Sequence, residues 1–311
     1  MMARLRLLLF SLWLGTLAAA GAQAAAKLVI VSSASGGAYL EATEALIAEL
    51  VEGGLARTEI ERLSTAEFAA ARSLAPKLFV ALGAEAANAL ARSEQRAPVL
   101  CTLLPRSSYE RALFEGGRRA SGQFSALYLD QPLSRHLDLI RVALPDARKV
   151  GLLWGPDSKA HAPTLKDLAR SRNLEWTEAS VSPGESLFAS LARVLAGADV
   201  LLAVADPQVY NSNSIQNILL TTFRAQVPVV GFSPAYVRAG ALLAVHVTPA
   251  QLGRQAGALA HGVLQGKSLP ATPLYSQDFE IALNEHVARS LGLALDAQAL
   301  RERLRRLEGA P

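Results

Sequence analysis

Leu78-Phe79-Val80-Ala81-Leu82-Gly83-Ala84-Glu85-Ala86-Ala87 decides the fold. Five apolar residues in a row, too few for a helix and without polar alternation, describe a strand covered on both faces, as parallel sheets require. Gly83 stops the run, and the small residues after it start a helix through Leu90. Working outward, the same unit recurs. Lys27 to Val31 reads as a strand, followed by a helix from Tyr39 to Val51 with Ala42, Leu46 and Leu50 on one face, and Val99 to Leu103 adds another strand. The second half repeats the scheme with Lys149 to Trp154, Leu174 to Val181, Val200 to Ala205, Val227 to Phe232 and Ala241 to Val247. Ile215, Ile218, Leu219, Thr222 and Phe223 form one helical stripe; Leu252, Ala256, Leu259, Ala260 and Val263 form another. Phe279 to Leu283 follows a connector containing Pro270 and Pro273, and Leu300, Leu304 and Leu307 mark a last amphipathic helix. Strands alternating with helices imply an α/β fold of parallel sheets flanked by helices.

The chain has 311 residues, 51% hydrophobic and 19% charged, enough for a sizeable core in two lobes. No composition break or long polar linker separates the halves, so the lobes are expected to be joined by short crossings. Met1 to Arg6 is basic, Leu7 to Ala20 is apolar, and Ala22-Gln23-Ala24 has small residues at cleavage-site spacing. Residues 1–24 are therefore expected to be a cleaved signal peptide. Losing Arg4 and Arg6 takes the net charge from +4 to +2, with no basic stripe, so no nucleic-acid partner is expected. The single cysteine, Cys101, lies in an apolar strand, so no disulfide, thiolate metal site or N-terminal lipid anchor is expected. The expected product is a monomer diffusing freely in a periplasm.

The sequence offers little for catalysis. Its five histidines form no HExxH pair or metal-spaced cluster, so no metal is expected. Gly231-Phe232-Ser233-Pro234-Ala235 lacks the second glycine of a nucleophile elbow, and Pro234 removes an oxyanion-hole N–H. Ser35-Gly36-Gly37 has no phosphate-loop ending, and no cofactor is expected. A non-enzymatic binding role is left, with a serine hydrolase at Ser233 as a remote alternative.

Candidate ligand groups gather at strand ends, where open α/β sheets place their ligands. Ser32, Ser33 and Ser35 either cap the following helix or join its N–H groups in holding an anion. Gly83, Ala84 and Glu85 occupy the equivalent turn, with Glu85 either balancing the helix dipole or facing a ligand. Asp206 either forms a turn before Pro207 or meets a ligand cation. Tyr210 and Asn211 offer an aromatic face and an amide, Ser233 and Tyr236 approach from the next strand, and Trp154 is either a wall of the cleft or packing.

Val80 to Ala87, Ala203 to Asp206, Pro228 to Ser233, Val237 to Leu242, Leu252 to Ala256, Phe279 to Asn284 and Leu291 to Leu293 together resemble the ABC transporter substrate-binding proteins of the tryptophan/tyrosine-binding type. The resemblance implies a two-lobed type I periplasmic-binding fold that closes like a hinge, with crossings near Ser125, Thr248 and Pro273. Residues 25–125 plus 249–272 would form the first lobe, and 126–248 plus 273–311 the second. It also implies that Ser32, Ser33, Gly83 and Ala84 hold a carboxylate and that Asp206 meets an ammonium. The sequence departs from the family's hydroxyl residue after the glycine, having Ala84 and Glu85 there, and from its Asn-rich loop after Asp206. The expected function is delivery of a small polar or amphipathic solute, an amino acid among the candidates, to an inner-membrane ABC permease. A sensor of the same fold, signalling to a membrane receptor, is the alternative.

Overall fold

Every residue of Leu78–Leu82 is buried, as a strand covered on both faces must be. The computed structural model describes residues 26–71, 74–181 and 186–309; the expected signal peptide at 1–24 lies outside them. The first sheet contains β1 (Leu28–Ser32), β2 (Ile60–Ser64), β3 (Leu78–Leu82), β4 (Val99–Thr102), β5 (Phe124–Tyr128) and β11 (Leu274–Tyr275), in the spatial order β11-β5-β4-β3-β1-β2. All its pairings are parallel. The second contains β6 (Lys149–Trp154), β7 (Glu175–Ser180), β8 (Val200–Leu202), β9 (Val229–Gly231), β10 (Leu243–His246) and β12 (Glu280–Leu283), in the order β12-β10-β9-β8-β6-β7. Among the described residues only β12 runs antiparallel to its neighbour in the sheet.

Each sheet is buried on both faces because successive residues point to opposite sides. Leu28 and Ile30 meet helix α1 (Ala38–Glu52) and helix α10 (Pro249–Leu264), while Val29 and Val31 join the cluster holding Ala86, Leu90, Tyr109 and Ala112 across the sheet. Edge strands read differently. In β2, Ile60-Glu61-Arg62-Leu63-Ser64 is half exposed, and this polar sequence carries no run of apolar residues to mark it as a strand.

The sheets are linked through 129–132, 247–248 and 276–279. Crossings expected near Ser125 and Pro273 come later than the sequence indicated, because Ser125 lies inside β5 and Leu274–Tyr275 pairs in register with Leu127–Tyr128. Ser125 Oγ donates to the Pro270 carbonyl at 2.6 Å, binding the incoming connector to β5. At the middle link, Thr248 accepts the Gln251 N–H while the Gln251 side chain accepts the Thr248 N–H, a capping box that starts α10 as the chain re-enters the first lobe. No helix among the described residues is long and apolar enough to cross a membrane.

Candidate functional site

Parallel sheets leave the N–H groups of the following helices free at their carboxyl edges, and both sheets turn such edges toward a cavity of about 260 Å³ beside the crossings. The first lobe supplies Pro105, Arg106 and Ser107 after β4, together with Tyr275. The second lobe contributes Leu202 to Ala205 at the end of β8 and Phe232 to Pro234 after β9, apolar but for Ser233. The crossings themselves add Leu129, Asp130, Gln131 and Val247, and His136, His161 and His246 complete the polar part.

The polar groups are held from more than one element. Arg106 is the first residue of helix α4 (Arg106–Glu115), whose N-cap, Pro105, has no side-chain acceptor. Asp130 takes that role from the first crossing, accepting the Arg106 N–H at 2.5 Å. Burial pushes the Asp130 carboxyl up, against the pull of the Arg106 N–H and guanidinium. The Arg106 side chain extends between Glu110, at 2.7 Å, and the Tyr275 hydroxyl, at 3.5 Å. Burial pushes the three histidines down. His136 falls to about 4, with Nδ1 against the Pro132 carbonyl at 3.1 Å. His161 is lowered by burial and then by the Arg106 charge, and His246 by burial against the opposing Val247 backbone and Glu280. The cavity therefore presents neutral imidazoles at physiological pH.

Of the residues picked out from the sequence, Ser233 lines this cavity, and it starts helix α9 (Pro234–Ala239) without spending its hydroxyl on the cap. The others do not share its place. Ser33 Oγ donates to the Leu82 carbonyl at 2.9 Å and accepts the Ala86 N–H at 3.0 Å, so it caps helix α3 (Ala84–Arg92) across two strands. Gly83, at φ 90°, makes that approach possible: a Cβ there would stand 2.7 Å from both Ser33 Oγ and the Tyr39 ring. Ser32 bonds locally to the Ala34 carbonyl at 2.6 Å. With Ser35, Ala84 and the exposed Glu85, these residues occupy the carboxyl edge of the first sheet, outside the cavity lining.

In the second lobe Asp206 and Trp154 make contacts within the lobe and lie outside the cavity lining. Asp206 is 2% exposed and accepts four hydrogen bonds: from Asp157 N at 3.1 Å, Ser158 N at 2.9 Å, Ser158 Oγ at 2.9 Å and Gln208 N at 3.0 Å. It clasps the turn after β6 to the turn after β8, with Oδ2 taking three of the four bonds, and it lies outside the cavity lining. Trp154 lies in the core and donates its indole N–H to Glu178 at 2.8 Å. Asn211 accepts from the Asn213 and Ser214 N–H groups and donates to the Pro207 carbonyl, shaping its own turn. Tyr210 is buried edge-on to Phe232 and Tyr236, and the Tyr236 hydroxyl donates to the Tyr210 carbonyl at 2.9 Å. Cys101 is fully buried, and burial pushes its thiol up, away from reactivity.

The sequence reading missed Arg106, Ser107, Asp130, Gln131, Tyr275 and the three histidines. One signal was present: Pro105-Arg106-Ser107 follows the apolar run Val99 to Leu104 just as Gly83-Ala84-Glu85 follows β3. The rest come together only through the crossings.

Residues 64–304 match the family described as ABC transporter substrate binding protein. The chain belongs to that family. Its members are substrate-binding proteins rather than enzymes. A tyrosine-binding protein of Clostridioides difficile is 25% identical over 223 residues, which is 70% of this chain and 63% of that protein, so the chain spans less than two thirds of this relative's length. Among solved structures, the ligand-free, open form of a Clostridium difficile substrate binding protein with adhesive properties superposes with a TM-score of 0.69 at 18% identity, over 87% of this chain and 96% of that one. A conserved domain protein from Vibrio cholerae gives 0.60 at 19%, over 89% and 98%. A Streptococcus pneumonia domain in complex with L-Trp gives 0.58 at 18%, also over 89% and 98%. At such identities the likeness shows the fold: this ABC substrate-binding protein has the two-lobed α/β architecture of type I periplasmic binding proteins.

Proposed function

We propose that the protein binds one small amphipathic solute, an aromatic amino acid foremost, in the inter-lobe cavity and delivers it to a membrane ABC permease without chemical change. The observation that carries this reading is the make-up of the cavity: an apolar lining from Leu202 to Ala205 and Phe232 of one lobe, together with polar groups at Arg106 and Ser107 of the other and Asp130 and Gln131 of the first crossing. Its volume of about 260 Å³ lies just below the roughly 300–1,000 Å³ of drug-sized sites and suits a single small molecule. Groups from both lobes and from the crossings line it, so a bound solute stabilises the closed arrangement relative to the open one, and that difference is what a permease reads. The tyrosine and L-Trp named for the relatives support an aromatic amino acid. Export through cleavage of 1–24 would place the protein in a periplasm, free of the membrane.

The test is thermal unfolding of the chain from Ala25, refolded to remove carried-over solute, against amino acids, amines, nucleosides and organic acids. A solute at one hundred times its dissociation constant adds about 2.7 kcal/mol of stability. L-tyrosine or L-tryptophan should raise the midpoint. A panel in which neither does refutes the aromatic amino-acid reading.

A further inference from the structure

Arg111 donates through Nη2 to Asp157 Oδ2 at 3.0 Å, and among the described residues this is the ion pair that joins the two lobes directly. The other pairs lie within a lobe or, like Arg305 with Asp278, hold a lobe to a crossing. Neither Arg111 nor Asp157 lines the cavity, yet both belong to segments that do. Helix α4 presents Arg106 and Ser107 to the cavity and carries Arg111 about 7.5 Å further along its axis. In the second lobe the turn after β6 carries Asp157, and His161, four residues later, lines the cavity. The pair therefore bridges the cleft outside the cavity, and any motion that draws α4 away from the His161 segment must break it.

Both ends of the bridge are held by their own lobe. Helix α4 is fixed at its start by Asp130 and, one turn on, by the buried Tyr109, whose hydroxyl donates to the Phe124 carbonyl at 2.8 Å. Asp157 rests on the Asp206 clasp, to which its N–H donates at 3.1 Å. Gly155, two residues earlier, approaches so closely that a Cβ there would collide with the Asp206 carboxylate. The Asp157 side chain is 27% exposed and that of Arg111 56%, and Arg111 meets no other acceptor among the described residues. A half-exposed pair adds little to the stability of a fold, so its weight falls on the balance between joined and separated lobes.

We propose that Arg111 and Asp157 are positioning residues that hold the mouth of the cavity closed and raise solute affinity without touching the solute. This deepens the solute reading above and rests on it. In calorimetric titration of L-tyrosine and L-tryptophan, Arg111→Gln and Asp157→Asn should each bind about two- to fivefold more weakly than the wild type, and the double variant no more weakly than either. Arg111→Glu, which sets two carboxylates together, should bind more weakly still, and adding Asp157→Lys should restore affinity, a rescue that a merely structural role does not produce. Raising salt from about 0.1 M to about 1 M shortens the screening length from about 10 Å to about 3 Å, which should bring the wild type toward Arg111→Gln and leave that variant unchanged. Spin labels at Phe114→Cys and Ala160→Cys, exposed positions beside the pair, report the separation of the lobes by dipolar spectroscopy, with the buried Cys101 left unlabelled. Before solute is added, Arg111→Gln should show a longer separation than the wild type carrying the same labels. A wild type that binds, with unchanged affinity in every charge variant, overturns the proposal and leaves the solute reading intact. A wild type that binds neither amino acid refutes the solute reading; the labels then decide on the bridge, and equal separations in wild type and Arg111→Gln overturn it as well.

Discussion

Replacing Asp206 by Asn separates a structural clasp from a ligand contact. Three backbone N–H groups and the Ser158 hydroxyl converge on this carboxylate, and Asp206 and Ser158 are 2% and 0% exposed. An amide with its oxygen in the Oδ2 place keeps three of these contacts as neutral bonds but turns its NH2 group toward the Gln208 N–H, so one charge-assisted bond worth about 1.5–3 kcal/mol is lost outright and three are weakened. A neutral amide is cheaper to bury than a carboxylate, which offsets part of the loss and leaves a cost of about 3 kcal/mol. At about 2–4 °C per kcal/mol for a unit of this size, the midpoint should fall by on the order of 10 °C. Unfolding followed by near-ultraviolet circular dichroism, with calorimetric titration of L-tyrosine at 15 °C on the same sample, reads both quantities. Affinity per folded molecule should stay within about threefold, against the tenfold or more expected when a charged hydrogen bond to a solute is lost. An unshifted midpoint with abolished binding would refute the clasp and restore Asp206 to the ligand.

Gly83→Ala should cost about 1–3 kcal/mol in urea unfolding, because φ 90° disfavours a side chain and the new Cβ would press on Ser33 and Tyr39; an unchanged transition midpoint would show that the turn relaxes freely. For His136, burial lowers the folded pKa to about 4, so the unfolded chain takes up a proton first as pH falls. Its stabilising contribution is complete above about pH 6.5 and is lost below it, by about 2 kcal/mol at pH 5 and about 3 kcal/mol near pH 4. Urea titrations at pH 7 and pH 5 should therefore diverge less for His136→Asn than for the wild type, and equal divergence would count against this origin.

The central strands were legible because burial on both faces demands apolar runs, and Leu78 to Leu82 or Val99 to Thr102 can satisfy little else. Edge strand β2 was not legible, since two of its five residues are exposed, the other three are only partly buried, and it needs no such run. Strand β5 was not read from the sequence, where a crossing was expected near Ser125; its Ser125 hydroxyl is buried in the strand by a bond to Pro270, far along the chain. For the site the division is sharper. Strand-end turns carry hydroxyls, glycines and acids whether they bind a ligand or hold themselves together, so Asp206 and Ser33 looked the same in sequence as ligand groups would.

The strands that had to be buried, their parallel pairing through intervening helices and the polar character of the carboxyl edges were all present in the order of residues. These follow from local periodicity, which is written along the chain. Which polar groups were already used depended on how the folded chain brings distant residues together. Asp206 is engaged by Asp157 and Ser158 of another turn, and the amide oxygen of Gln131 is taken by Arg135, itself paired with Glu308 of the last helix. Hydrogen-bond satisfaction is settled by partners distant in sequence, and a group's availability to a solute is what remains once those partners are in place.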